Sequence, residues 1–209
     1  KDTCSLYNSH KRKRIYLTMD VLNSENEIRL NEIQNQCIEY AKNTKNEKRQ
    51  LLMMIMGGPG TGKTFTIKQL LKIHPFKHYP KDAVGLGSFS ALAACNVSKG
   101  TGFDGKTLHK IFKIGVETET QSDIPSVKKM LRKTIRGSST RLKLLIIDEI
   151  SMLPSHIFDL IDEILKRDKN TEKLLGGIDV ILMGDDHQLH PIVGKYVGEN
   201  TKIDRFKRF

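Results

Sequence analysis

The segment Gly57-Gly58-Pro59-Gly60-Thr61-Gly62-Lys63-Thr64 constrains this chain more than any other. Glycines at these positions let backbone N–H groups turn inward around an anion, and the helix that follows presents its positive N-terminal end to the same point. A phosphate loop of this kind requires a buried strand before it and a helix after it. Leu51-Leu52-Met53-Met54-Ile55-Met56 is a short apolar run suited to a strand covered on both faces of a parallel sheet. After the loop, Ile67, Leu70 and Leu71 form the apolar side of a helix that His74-Pro75 closes. In this setting Lys63 reaches the β- and γ-phosphates of a nucleotide and Thr64 sets its hydroxyl on Mg²⁺. The nucleotide contacts expected here are Gly58, Pro59, Gly60, Thr61, Gly62, Lys63, Thr64 and Phe65.

The rest of the chain alternates between strand and helix patterns. Asn31 and Gln34 have capping-box spacing, and Ile33, Cys37, Ile38 and Ala41 repeat at helical intervals, which predicts a helix ending near Asn43. Residues 83–89 read as a second strand and 90–97 as a short Ala-rich helix. Val127, Met130, Leu131, Thr134 and Ile135 stripe one face of an amphipathic helix, opposite Lys128, Lys129, Arg132, Lys133 and Arg136. Residues 144–147 form a third buried strand, a helix carrying Ile157, Leu160, Ile161, Ile164 and Leu165 follows, and 178–183 form a fourth strand. This order predicts an α/β fold with a parallel sheet and helices on both faces. Residues 1–25 are polar, with a basic run Lys11-Arg12-Lys13-Arg14, and read as an extension or linker to a phosphate-loop lobe over 26–209.

An ATPase site also needs a carboxylate at the end of a neighbouring strand. Asp148 closes the third strand, where it can hold Mg²⁺, and the adjacent Glu149 is the candidate general base for water. Gly184-Asp185-Asp186-His187-Gln188-Leu189 follows the fourth strand, and Gln188 is the residue there suited to sensing a γ-phosphate. His187 and His190 lack the further ligands a metal site requires. A net charge of +11 and a pI near 9.5 indicate a polyanionic partner, with nucleic acid first. Three scattered cysteines, Cys4, Cys37 and Cys95, read as reduced thiols. With no apolar run of membrane-spanning length and no secretory signal, an intracellular protein is expected.

Taken in order, these segments resemble the Pif-type branch of superfamily-one DNA helicases, relatives of the bacterial RecD motor subunit, over residues 30–192. Leu30-Asn31-Glu32-Ile33-Gln34 is similar to the adenine-reading Q motif, which implies that Gln34 contacts the base. Residues 57–64 match motif I. Ser88-Phe89-Ser90-Ala91-Leu92-Ala93-Ala94 and Gly105-Lys106-Thr107-Leu108-His109-Lys110-Ile111-Phe112 resemble the DNA-contacting motifs Ia and Ib. The resemblance thereby implies single-strand contacts at Phe89, Ser90, Thr107, His109 and Phe112, although both phenylalanines equally suit a core. Ile147-Asp148-Glu149-Ile150-Ser151-Met152 resembles motif II, and the stretch through Gly176-Gly177-Ile178 leads into motif III, where His187 and His190 stand in place of the family's usual aromatic and proline.

The family implies a first RecA-like lobe that binds ATP and Mg²⁺, hydrolyses ATP with Glu149, Lys63 and Gln188, and moves 5′-to-3′ on single-stranded DNA at duplex junctions. It also implies a partner lobe of the same type, absent from 26–209, a weak isolated activity, and work in replication, repair or recombination in the nucleus or another DNA-containing compartment. The rival expectations are another phosphate-loop phosphotransferase and a nucleotide-responsive scaffold without DNA translocation.

Overall fold

A computed structural model describes residues 30–115, 126–185 and 195–209. The basic run at 11–14 and the residues Asp186, His187, Gln188 and His190 lie outside the described residues. From Asn31 onward the chain is one unit, with helices α1 (Glu32–Asn46), α2 (Lys63–Leu70), α3 (Ala91–Ser98), α4 (Leu108–Phe112), α5 (Val127–Lys133) and α6 (Ser155–Lys169). Strands β1 (Leu52–Met56), β2 (Val84–Ser88), β3 (Gly105–Thr107), β4 (Leu144–Asp148), β5 (Asp179–Gly184) and β6 (Lys207–Arg208) form one sheet in the order β3-β2-β4-β5-β1-β6. Every pairing is parallel. The predicted α/β class therefore holds, with β3, α4 and β6 added.

Both faces of the central strands are buried, which is why they read as unbroken apolar runs. On one face Leu52, Met54, Leu145, Ile147, Val180 and Leu182 join a core with Ile157, Phe158 and Ile161 of α6. The alternate residues Met53, Ile55, Leu144, Ile146, Ile181 and Met183 are equally buried. There α3 packs on β2 and β4, and α1 packs on α2 through a set of buried residues that includes Cys37, Ala41, Ile67 and Leu70. The contact of α3 with β3 demands glycine at position 105, because a Cβ there would lie 1.8 Å from the Ala94 carbonyl oxygen. Among the described residues no helix is long and apolar enough to cross a membrane.

The edge where the strands begin is held by a dense set of polar contacts. Asp179, 3% exposed, accepts from the Leu51 N–H at 2.8 Å and from Lys45 Nζ at 2.8 Å. Gln50 Nε2 donates to the carbonyls of Leu174 and Ile178. In the last turn of α6, Asp168 accepts from the N–H groups of Gly137 and Ser139 and from the Ser139 hydroxyl. Burial alone would push this carboxyl up, but those donors and Arg167 hold it below the usual carboxylate range.

Two helix boundaries differ from the sequence expectation. α1 runs on to Asn46, beyond Asn43, burying Thr44 as well. α5 stops at Lys133, so that Ile135 is 62% exposed and does not extend the apolar stripe. The cause is tertiary: Thr134 is extended, and Arg167 donates to the carbonyls of Leu131, Thr134 and Ile135.

Candidate functional site

A phosphate-loop lobe gathers its chemistry where parallel strands end. The loop after β1 turns with Gly60 at φ +75° and Gly62 at φ +86°, a left-handed region that glycine enters without the Cβ penalty. Gly57 N–H donates to the Gly184 carbonyl at 3.1 Å, tying the loop to the end of β5. Thr61 Oγ1 donates to the Gly58 carbonyl at 2.9 Å. Lys63, the first residue of α2, turns its ammonium back onto the carbonyls of Gly57 and Gly58. Thr64 and Phe65 follow in the first turn, both partly exposed.

Gln34 reaches this loop from α1. Asn31 Oδ1 accepts from Gln34 N–H at 2.9 Å and Gln34 Oε1 accepts from Asn31 N–H at 3.0 Å, so both bonds of the capping box are made. The other end of the amide lies against the loop: a Cβ on Gly62 would fall 2.5 Å from Gln34 Nε2. Gln34 is 5% exposed. The structure thus brings the residue of the Q-like segment to the N-terminus of α2.

Asp148 is the last residue of β4 and Glu149 the first residue beyond it. Glu149 has φ 51° and ψ 50°, a left-handed conformation that costs a non-glycine residue about 1 kcal/mol or more. Its N–H donates to Asp148 Oδ1 at 2.8 Å. Burial pushes the Asp148 carboxyl above its ordinary range and the Glu149 charge adds to this, while the Glu149 N–H and the Lys63 ammonium oppose it. An influence of Lys63 on Asp148 means that loop and carboxylate share one electrostatic site.

The segments like motifs Ia and Ib lie beside Asp148 on the same sheet edge, since Ser88 pairs in register with both Asp148 and Thr107. Ser90 caps α3 by accepting from Ala93 N–H, and Thr107 caps α4 by accepting from Lys110 N–H. The Phe89 and His109 rings pack with centroids 5.5 Å apart. Phe112 departs from this group. It is 0% exposed within the core, so of its two open readings the core one holds and it leaves the DNA-contact set.

One neighbour escaped the sequence reading. Ser88 is fully buried, and its hydroxyl has no hydrogen-bond partner among the described residues. The only sequence signal was a serine as many residues into its strand as Asp148 is into β4. Gln188 lies outside the described residues. Among the described residues no cluster of three His, Cys, Asp or Glu could enclose a metal, whereas the Thr64 hydroxyl and Asp148 carboxylate are hard oxygen donors of the type Mg²⁺ takes beside substrate phosphates.

Comparison with known proteins agrees with this geometry. A family model described as PIF1-like helicase matches residues 29–206. The chain is 31% identical over 189 residues to the ATP-dependent DNA helicase PIF1 of Candida albicans, covering 84% of this chain and 20% of that protein. It is 30% identical over 149 residues to the ATP-dependent DNA helicase RRM3 of Saccharomyces cerevisiae, covering 71% and 19%. The chain therefore spans about a fifth of the curated relatives it matches. The crystal structure of Pif1 helicase from Candida albicans superposes with a TM-score of 0.69 at 26% identity, over 87% of this chain and 38% of that one. Bacteroides Pif1 in complex with ADP-AlF4 superposes with a TM-score of 0.58 at 26% identity, over 83% and 36%.

Proposed function

This chain belongs to the PIF1-like helicase family, and from that premise we propose that it forms the ATP-binding and hydrolysing lobe of an ATP-dependent DNA helicase. The observation that carries the reading is the convergence of Gln34, the loop at Gly57 to Thr64, Asp148 and Glu149 on one sheet edge. Gln34 offers its NH₂ to an acceptor nitrogen of adenine while its oxygen stays on Asn31. The amides around Gly58, Gly60 and Gly62 receive the phosphates, with Pro59 and Thr61 shaping the turn and Phe65 in the first turn of the supporting helix. Lys63 leaves the Gly57 and Gly58 carbonyls for the β- and γ-phosphates.

Thr64 and Asp148 are the residues that would hold Mg²⁺, whose charge neutralises the β- and γ-phosphate oxygens when bound. Glu149 takes the proton of the attacking water, and Gln188 is the proposed γ-phosphate sensor. Phe89, Ser90, Thr107 and His109 contribute one side of a single-strand path. The two hydroxyls still donate to phosphate after capping their helices, and the Phe89 and His109 rings offer a surface for stacking. A second RecA-like lobe in the parent protein closes on this one with ATP and reopens after hydrolysis, giving 5′-to-3′ movement in a DNA-containing compartment.

The test is ATP hydrolysis by the longest natural polypeptide containing this chain, with and without single-stranded DNA. Strong stimulation is expected. Turnover indifferent to DNA would retire the helicase reading and keep the ATP site, and turnover dependent on a small acceptor would make the protein a phosphotransferase.

A further inference from the structure

A basic groove that the ATP chemistry does not use runs from the starts of β2 and β4 to β3 and α4. One hollow of about 410 Å³ is flanked by Lys81, Lys106, Lys110 and Lys113 and floored by Val84, Gly85 and Leu86 of β2. A second, of about 480 Å³, is lined by Arg141, Lys143 and Lys169. Asp82 lines both, so they adjoin. Val84 starts β2 and Lys143 immediately precedes β4, whereas the phosphate loop and Asp148 follow strand ends. None of Gln34, the phosphate loop, Asp148 and Glu149 lines either hollow.

Its charge is poorly balanced. Seven cationic side chains meet only two acids, Asp82 and Asp104, and Asp82 is already paired with Arg141 at 2.8 Å. Lys169 shows the same excess: burial lowers its pKa, and the Lys143 charge lowers it further. Ser138 adds a buried hydroxyl with no partner among the described residues, at the wall of the first hollow. Such a surface attracts a polyanion that releases counterions as it binds.

The lining also discriminates between forms of nucleic acid. Single-strand sites combine cations with aromatic rings on which unpaired bases stack. Phe89 and His109 make such a pair at the strand ends, but no aromatic residue lines either hollow. Of the lining lysines, Lys143 alone lies over a described ring, its ammonium 5.6 Å from the Tyr79 centroid; the other lysines suit phosphates whose bases are paired and turned away. Helix α4 links the two regions, because His109 faces Phe89 while Lys110 and Lys113 border the groove.

We propose that the groove binds the sugar-phosphate backbone of a DNA duplex arm, outside the single-strand path. The identity of the polyanion rests on the helicase reading; the groove itself does not.

The test uses the longest natural polypeptide containing this chain, with Lys81→Gln, Lys113→Gln and Lys143→Gln combined. Affinity for a forked DNA and for a short single-stranded oligonucleotide is measured across a salt series. Fork affinity should fall about tenfold and the slope of log affinity against log salt should shrink by about 2 to 3, roughly one for each phosphate that the variant no longer neutralises. Oligonucleotide affinity and oligonucleotide-stimulated ATP turnover should stay at parental values, and the three lysines changed to arginine should restore fork binding. An equal loss for fork and oligonucleotide would assign the groove to single strands and overturn the proposal, as would no loss for either. Parental turnover indifferent to DNA would instead count against the helicase reading, so the two failures are distinct.

Discussion

The two edges of the sheet are built from the same strands and to opposite standards. Around the starts of β1 and β5 and the end of α6, polar groups are matched: Asp179 holds Leu51 N–H and Lys45, Gln50 bridges two carbonyls, and Asp168 collects donors from the turn after α5. Where they end, Glu149 has a left-handed backbone, Asp148 is a carboxylate pushed upward by burial, and the Ser88 hydroxyl is buried without a partner among the described residues. One set of contacts fixes the register, and the other end carries backbone strain and a carboxylate raised by burial. The proposed binding and release of a nucleotide needs both, since groups held ready for a ligand are not already satisfied by the protein.

Substitutions at the two edges should fail differently. The largest effect is expected for Glu149→Gln, which should lower ATP turnover roughly 10²- to 10⁴-fold while ATP affinity and unfolding temperature stay near parental; normal turnover would remove Glu149 as the base. Asp179→Ala should do the reverse. It strands Lys45 and the Leu51 N–H, so denaturant unfolding should register a loss of about 3 kcal/mol, with ATP affinity of the folded protein unchanged.

Asp148→Asn should abolish Mg²⁺-dependent hydrolysis yet raise the unfolding temperature slightly without nucleotide. A carboxyl whose folded pKa is raised contributes stability below its ordinary pKa and loses it as pH rises through the folded value. The ionised group therefore costs stability at neutral pH, and the advantage of Asn should be present at pH 8 and vanish in acid. A variant less stable than the parent at pH 8 would contradict the burial argument. Ser88→Ala should be the mildest, neutral or stabilising by about 1 kcal/mol, and a clear destabilisation would mean that the hydroxyl has a partner after all.

The elements legible in the sequence were those whose signal is local. The central residues of β1, β4 and β5 are apolar because both faces are covered, and the capping box of α1 was visible from Asn31 and Gln34. The candidate site was legible for the same reason, since its loop and its acids lie at strand ends or just beyond them. β3 carried no such signal: Gly-Lys-Thr becomes a strand only by pairing with β2. The end of α5 depended on Arg167, more than thirty residues away. Phe89 and Phe112 read alike, and only packing separated a ring at the rim from one in the core. The groove was invisible because its lysines come from four separate stretches of chain.

The double duty of Gln34 narrows what evolution can write at that position. A capping box accepts glutamate as readily as glutamine, so the helix start alone leaves two residue types open. The NH₂ held against Gly62 removes one of them, because a carboxylate there would bring a negative charge to the mouth of a phosphate site. Two weak preferences, one from helix geometry and one from ligand charge, intersect on a single amino acid. Under the proposed nucleotide contacts, glutamine meets both requirements at once, although neither is strict by itself.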